Sequence, residues 1–104
     1  MNYRYSLPPT EVDNRARPSI TTNPSSTTVQ LHDRIALSCS ATGNPTPSIA
    51  WYKDGKPIKG PQANGDVFVI PEATPNERGF YHCEAFSSFG DPAKSKVARI
   101  LIEG

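Results

Sequence analysis

Most of what would mark a catalyst, a channel or a nucleic-acid binder is missing from this 104-residue sequence. No apolar run approaches the length a helix needs to cross a bilayer. The N-terminus has no apolar signal core, so Met1 is expected to open a segment of a longer protein. Net charge is +1, from 11 basic and 10 acidic residues, too balanced for a field that would draw in nucleic acid or a membrane. The two histidines, His32 and His82, stand on separate stretches and the acids are scattered singly. No Ser/His/Asp grouping, Gly-x-Ser-x-Gly elbow, glycine-rich phosphate loop or calcium loop is present. The expectation is a chain with no catalytic residue, no cofactor and no metal ligand set. N-glycosylation signals are lacking too. Asn23 and Asn44 have Ser or Thr two places on, but Pro24 and Pro45 occupy the middle position and block the sequon. Every face is therefore expected to be open to protein partners.

What the chain has is punctuation and alternation. Eleven prolines and seven glycines interrupt it too often for long helices. Between them, apolar residues recur at every second position, the period of a strand with one buried face. Ile35, Leu37 and Cys39 share one face in Arg34–Cys39. Ile49 and Trp51 share another in Ser48–Lys53, and Tyr81, Cys83 and Ala85 a third after Gly79. In Asp66–Ile70 the same parity turns Phe68 and Ile70 inward, followed by the small residue Ala73. The pattern predicts an all-β domain of antiparallel strands, of a size for one real but modest core. Leu37, Ile49, Trp51, Phe68, Ile70 and Tyr81 are its expected centre.

Residues 1–17 show no period and read as a linker or tail, stiffened at Pro8-Pro9; Tyr3 and Tyr5 there are either a ligand motif or plain connector. The domain is expected over 18–104, with no internal repeat. Its first strand, Ser19–Thr22, is broken at Pro24, and Thr27–Leu31 is expected to cross to the other sheet. Of the proline bonds in the Thr42–Pro47 loop, Thr46-Pro47 is the expected place for a cis peptide, if there is one. Asp54-Gly55 marks a tight hairpin turn into a short strand at Lys56–Ile58. A loop or short strand is expected over Lys59–Gly65, and a last strand over Ala93–Ile102.

Cys39, Trp51 and Tyr81-His82-Cys83 together resemble the immunoglobulin superfamily. Gly43-Asn44-Pro45-Thr46-Pro47 and Trp51-Tyr52-Lys53-Asp54-Gly55 are similar to its intermediate, or I-set, class. The resemblance covers roughly residues 18–103 and implies a two-sheet β-sandwich, bridged by a Cys39–Cys83 disulfide with Trp51 packed on it. The other possibility for the cysteines is a pair of buried free thiols in a reducing compartment. Asn76–Tyr81 resembles the corner that precedes the second cysteine, with Glu77 where the family usually has aspartate; there Gly79 allows the sharp entry into the strand and the Tyr81 phenol bonds back to the upstream backbone. The resemblance further implies a non-catalytic protein-binding or adhesion module of a multidomain receptor, adhesion or matrix protein, at the cell surface or outside the cell, with neighbouring domains in the same chain. The alternative is a passive structural spacer, sarcomeric or otherwise.

The surface gives the candidate site. With Cys83 and Trp51 inward, Phe80, His82, Glu84 and Phe86 point outward from one strand, and Tyr52 points outward from its neighbour. Polar residues are the default on such a face, whereas large aromatics are enriched where partners bind, self or heterologous. Tyr52, Phe80, His82, Glu84 and Phe86 are the candidate contact residues. The plain alternative is structural cover, with both phenylalanines packed under adjoining loops. Lys53, Lys56 and Lys59, and Lys94, Lys96 and Arg99, also form basic groups that suit sulfated polysaccharide or anionic headgroups. Asp54 and Asp91 interrupt them, which favours an ordinary solvated face.

Overall fold

The computed structural model describes residues 13–60, 63 and 65–104. Tyr3, Tyr5 and Pro8-Pro9 lie outside the described residues, as do positions 61, 62 and 64 of the loop expected before Asp66. Among the described residues the strands are β1 (Ala16–Thr22), β2 (Thr27–Gln30), β3 (Ile35–Ser38), β4 (Ser40–Asn44), β5 (Ser48–Lys53), β6 (Lys56–Pro57), β7 (Val67–Ile70), β8 (Gly79–Phe86), β9 (Ala93–Lys94) and β10 (Ala98–Glu103). One layer holds β1 paired with β4 and β3 paired with β7. The other runs β2-β10-β8-β5-β6, with β9 also on β8.

The first strand does change layers. β1 pairs antiparallel with β4 as far as Thr22↔Ser40. After the buried Pro24, β2 runs parallel to β10, Thr27 beside Ile100 and Gln30 beside Glu103. β1 starts at Ala16, so the pairing reaches two residues into the stretch read as linker. β3 and β4 are one strand interrupted at Cys39, whose N–H still reaches the Asp66 carbonyl at 2.8 Å. The cis bond is Asn44-Pro45, not Thr46-Pro47; adjoining X-Pro bonds look alike in sequence, and only the loop's path separates them.

The core follows the alternation. Ile35, Leu37, Cys39, Trp51, Phe68, Ile70, Ala73, Tyr81, Cys83 and Ile100 form one buried cluster, with Ile49 partly buried against it. The Cys39–Cys83 disulfide joins the layers across a Cα–Cα distance of 6.5 Å. Phe68 lies between two other rings, 5.8 Å from Trp51 and 5.5 Å from Tyr81, centroid to centroid. Burying each such side chain contributes about 1.5–3 kcal/mol. The Trp51 indole N–H is not stranded, because it donates to the Gly65 carbonyl at 2.8 Å.

Two local devices shape the second layer. Before β8, Thr74 caps a 3-10 turn at Pro75–Glu77. The Glu77 carboxylate accepts the Thr74 N–H at 2.8 Å and also the Thr74 hydroxyl, and the Thr74 side chain accepts a backbone N–H of the turn in return, so both members of a capping box are made. The Tyr81 phenol donates to the Glu77 carbonyl at 2.6 Å, as the resemblance implied. The second device divides the expected last strand in two. Ser95 Oγ accepts the Cys83 N–H at 2.9 Å, and the Lys96 N–H turns to Asn23 Oδ1 at 2.8 Å. Residues 95–97 thereby leave the ladder between β9 and β10.

Candidate functional site

Side-chain parity on β8 sets the site. Tyr81, Cys83 and Ala85 are buried, while Phe80, His82, Glu84 and Phe86 turn to the outer face of the second layer. Phe80 is 53% exposed and Phe86 45%, so neither is covered by the loop beside it. They are six positions apart on one strand, a separation of about 20 Å.

Between them the face closes on itself. Tyr52 on β5 is in register with His82, and the two rings stack at 4.8 Å with 8° between their planes. His82 Nε2 lies 3.1 Å from Glu84 Oε2, with both side chains under 20% exposed. Lys94 on β9 brings its ammonium to 3.9 Å from the same oxygen. Tyr52, His82 and Glu84 therefore form one connected network, with Phe80 and Phe86 as separate apolar ends.

The lower end is fixed by the β5–β6 turn. Asp54 (φ 52) and Gly55 (φ 81) have the left-handed pair of conformations that a tight two-residue hairpin requires. This aims the Asp54 carboxylate at the start of β8, where Oδ1 accepts the Phe80 N–H at 3.0 Å. The Asp54 N–H in turn donates to the Phe80 carbonyl at 2.7 Å. A side chain at position 79 would run into this clamp, because its Cβ would sit 3.1 Å from the Asp54 carboxylate. In the sequence Asp54 reads as a turn residue and as a break in the basic group; its spacing from Phe80 carries no period that would pair them. Lys53, counted above in a basic group, points its ammonium to the Asn76 carbonyl and lies 5.7 Å over the Tyr81 ring. Lys53 is thus drawn away from Lys56 and Lys59.

The buried end of the site is electrostatically marked. Burial pushes the Tyr81 phenol up to about 12, and the negative charges of Glu77 and Asp54 add to the shift. Among the described residues no group of three or more His, Cys, Asp or Glu side chains is placed to hold a metal ion. At the opposite end, residues read as linker dock on the loops. Asn44 Nδ2 donates to the Asn14 carbonyl at 2.9 Å, and the Arg15 guanidinium lies 4.7 Å over the Phe89 ring.

These features define a disulfide-bridged, two-layer β-sandwich with one open sheet face. A profile described as "Immunoglobulin domain" matches residues 17–86, and the chain belongs to the immunoglobulin domain family. It is 35% identical over 68 residues to the advanced glycosylation end product-specific receptor of Homo sapiens, a match covering 65% of this chain and 16% of that protein. Against hemicentin-1 of Homo sapiens it is 34% identical over 85 residues, covering 76% of this chain and 2% of that protein. Among solved structures, the titin domains Z1Z2 in complex with telethonin superpose with a TM-score of 0.74 at 32% identity, covering 86% of this chain and 48% of that one. The chain thus corresponds to a small part of the multidomain relatives it matches.

Proposed function

We propose that this domain is a non-catalytic protein-binding module of a cell-surface or extracellular matrix protein, and that it meets a partner, self or heterologous, on the outer face of β5, β8 and β10. The observation that carries the reading is the exposure of Phe80 and Phe86 on one sheet face, where solubility alone would favour polar residues. The disulfide supports an oxidising compartment, and resemblance to a receptor supports the surface setting. Exposed rings of this kind act as anchors, each costing on the order of 2 kcal/mol when truncated if it is a hot spot.

The test is a binding screen of the chain against itself and against surface and matrix proteins, repeated with Tyr52→Ala and Phe86→Ser. Both changes should weaken association by about tenfold or more. Phe86→Ser should change folding stability by no more than about 0.5 kcal/mol. Tyr52→Ala loses the stack on His82 and should cost about 1 kcal/mol. A Phe86→Ser protein destabilised by several kcal/mol, or a partner indifferent to both changes and to Phe80→Ser, would return the face to structural cover. The self-satisfied network of Tyr52, His82 and Glu84 favours a second reading, a structural spacer. In that case the screen finds no partner on this face.

A further inference from the structure

At the Phe80 end of the face lies a groove of about 260 Å³ lined by Asp54, Arg78, Phe80, Arg99 and Leu101, with the backbone around them. Its charge is lopsided. Arg78 and Arg99 are both exposed, and among the described residues neither makes an ion pair within 4 Å. The one carboxylate in the wall, Asp54, is already turned to the Phe80 N–H. Arg99 sits directly opposite Phe80 in the β8–β10 register, so the two side chains are cross-strand neighbours on the same surface. Yet among the described residues no cation lies over the Phe80 ring. Among the described residues both guanidinium groups thus lack an ion pair and the ring lacks a cation within one concavity, while Lys53 and Lys94 on the same sheet are held by Asn76 and Glu84.

We propose that this groove docks an acidic protein segment that carries one bulky apolar side chain flanked by carboxylates. The apolar side chain packs on Phe80 and Leu101. The carboxylates meet Arg78 and Arg99, whose planar forks suit paired carboxylate oxygens. A sulfated polysaccharide fits less well, because it has no bulky apolar side chain to bury against Phe80 and Leu101. The inference rests on the partner-face reading and narrows it to one end and one partner chemistry.

The experiment selects binders to the whole 104-residue chain from a displayed random-peptide library. A sulfated oligosaccharide is titrated alongside, followed by amide chemical shifts. Enriched peptides should place acidic residues around an aromatic or leucine and shift the amides of Phe80 and Arg99. Their binding should fall about tenfold or more with the double variant Arg78→Glu/Arg99→Glu, fall with Phe80→Ser, and weaken at high salt. An unchanged melting temperature of the double variant shows that it still folds. Separate arginine-to-glutamine variants with an intermediate loss tie the effect to charge. No enriched binder, binders without acidic residues, or shifts at the groove from the oligosaccharide alone would overturn the proposal. If binders lose affinity with Phe86→Ser and Tyr52→Ala but ignore the arginine changes, the face reading survives and the acidic groove falls. If they ignore all of these changes, both fall.

Discussion

Tyr81→Phe removes one oxygen from the centre of the domain and tests how the corner before β8 is held. The phenol is 1% exposed as a residue and donates to the Glu77 carbonyl at 2.6 Å. Losing that bond, with the ring still in place, should cost about 1 kcal/mol, the usual net value of one hydrogen bond. For a domain of this size that is a fall in Tm of about 4–8 °C. The pH dependence is the sharper test. Burial and the nearby Glu77 and Asp54 carboxylates raise the folded-state pKa from 10.0 to about 12. Below pH 10 both folded and unfolded states keep the proton, and the Tyr81 contribution is fully present. Between pH 10 and about 12 the unfolded chain releases it while the folded chain retains it. Stability then falls with rising pH, by at most about 1.4 kcal/mol per pH unit for one group. Urea unfolding of wild type and Tyr81→Phe across pH 8 to 12 should give curves that are separate at pH 8, converge above pH 10 and cross before pH 12. Curves that stay parallel throughout would refute the claim that Tyr81 is held neutral by its surroundings.

Other outcomes follow from the core. Trp51→Ala should cost about 3–5 kcal/mol, the range for large aromatic truncations and a large part of a small domain's stability; an unchanged Tm would remove Trp51 from the centre of the packing. Reducing Cys39–Cys83 reopens a separation of 44 residues, worth roughly 4 kcal/mol in the chain-entropy treatment. It should lower the denaturant midpoint accordingly, and two reactive thiols in protein purified under oxidising conditions would contradict the bridge.

The sandwich was legible because its buried strands have one wet and one dry face, and a two-residue period records that directly. Ile35, Leu37, Phe68, Ile70, Tyr81 and Cys83 are buried as their parity predicts. The outward parity of Phe80, His82, Glu84 and Phe86 was equally readable. Parity does not say what a side chain meets across the strand gap. Tyr52 stacks on His82 because β5 and β8 pair in that register, and they do so across a long connection. Nothing in the local pattern of either strand announces it. The break at residues 95–97 is hidden for a similar reason, since it depends on Asn23, 73 positions away in sequence. The extension of β1 to Ala16 is not legible in the sequence because the β1–β4 pairing shifts register twice, and a register shift resets the alternation that would reveal a strand.

The parallel pairing of β2 with β10 also has a mechanical consequence. These strands lie near the two ends of the described chain, joined at four registered positions from Thr27↔Ile100 to Gln30↔Glu103. Opposed forces on the chain ends pull β2 from its beginning and β10 from its end. For parallel strands those pulls slide one past the other, so the bonds between them are loaded together rather than opened one after another from an end. Once β1, which lies on the N-terminal side of β2, has been drawn off β4, an applied tension is carried by that short ladder.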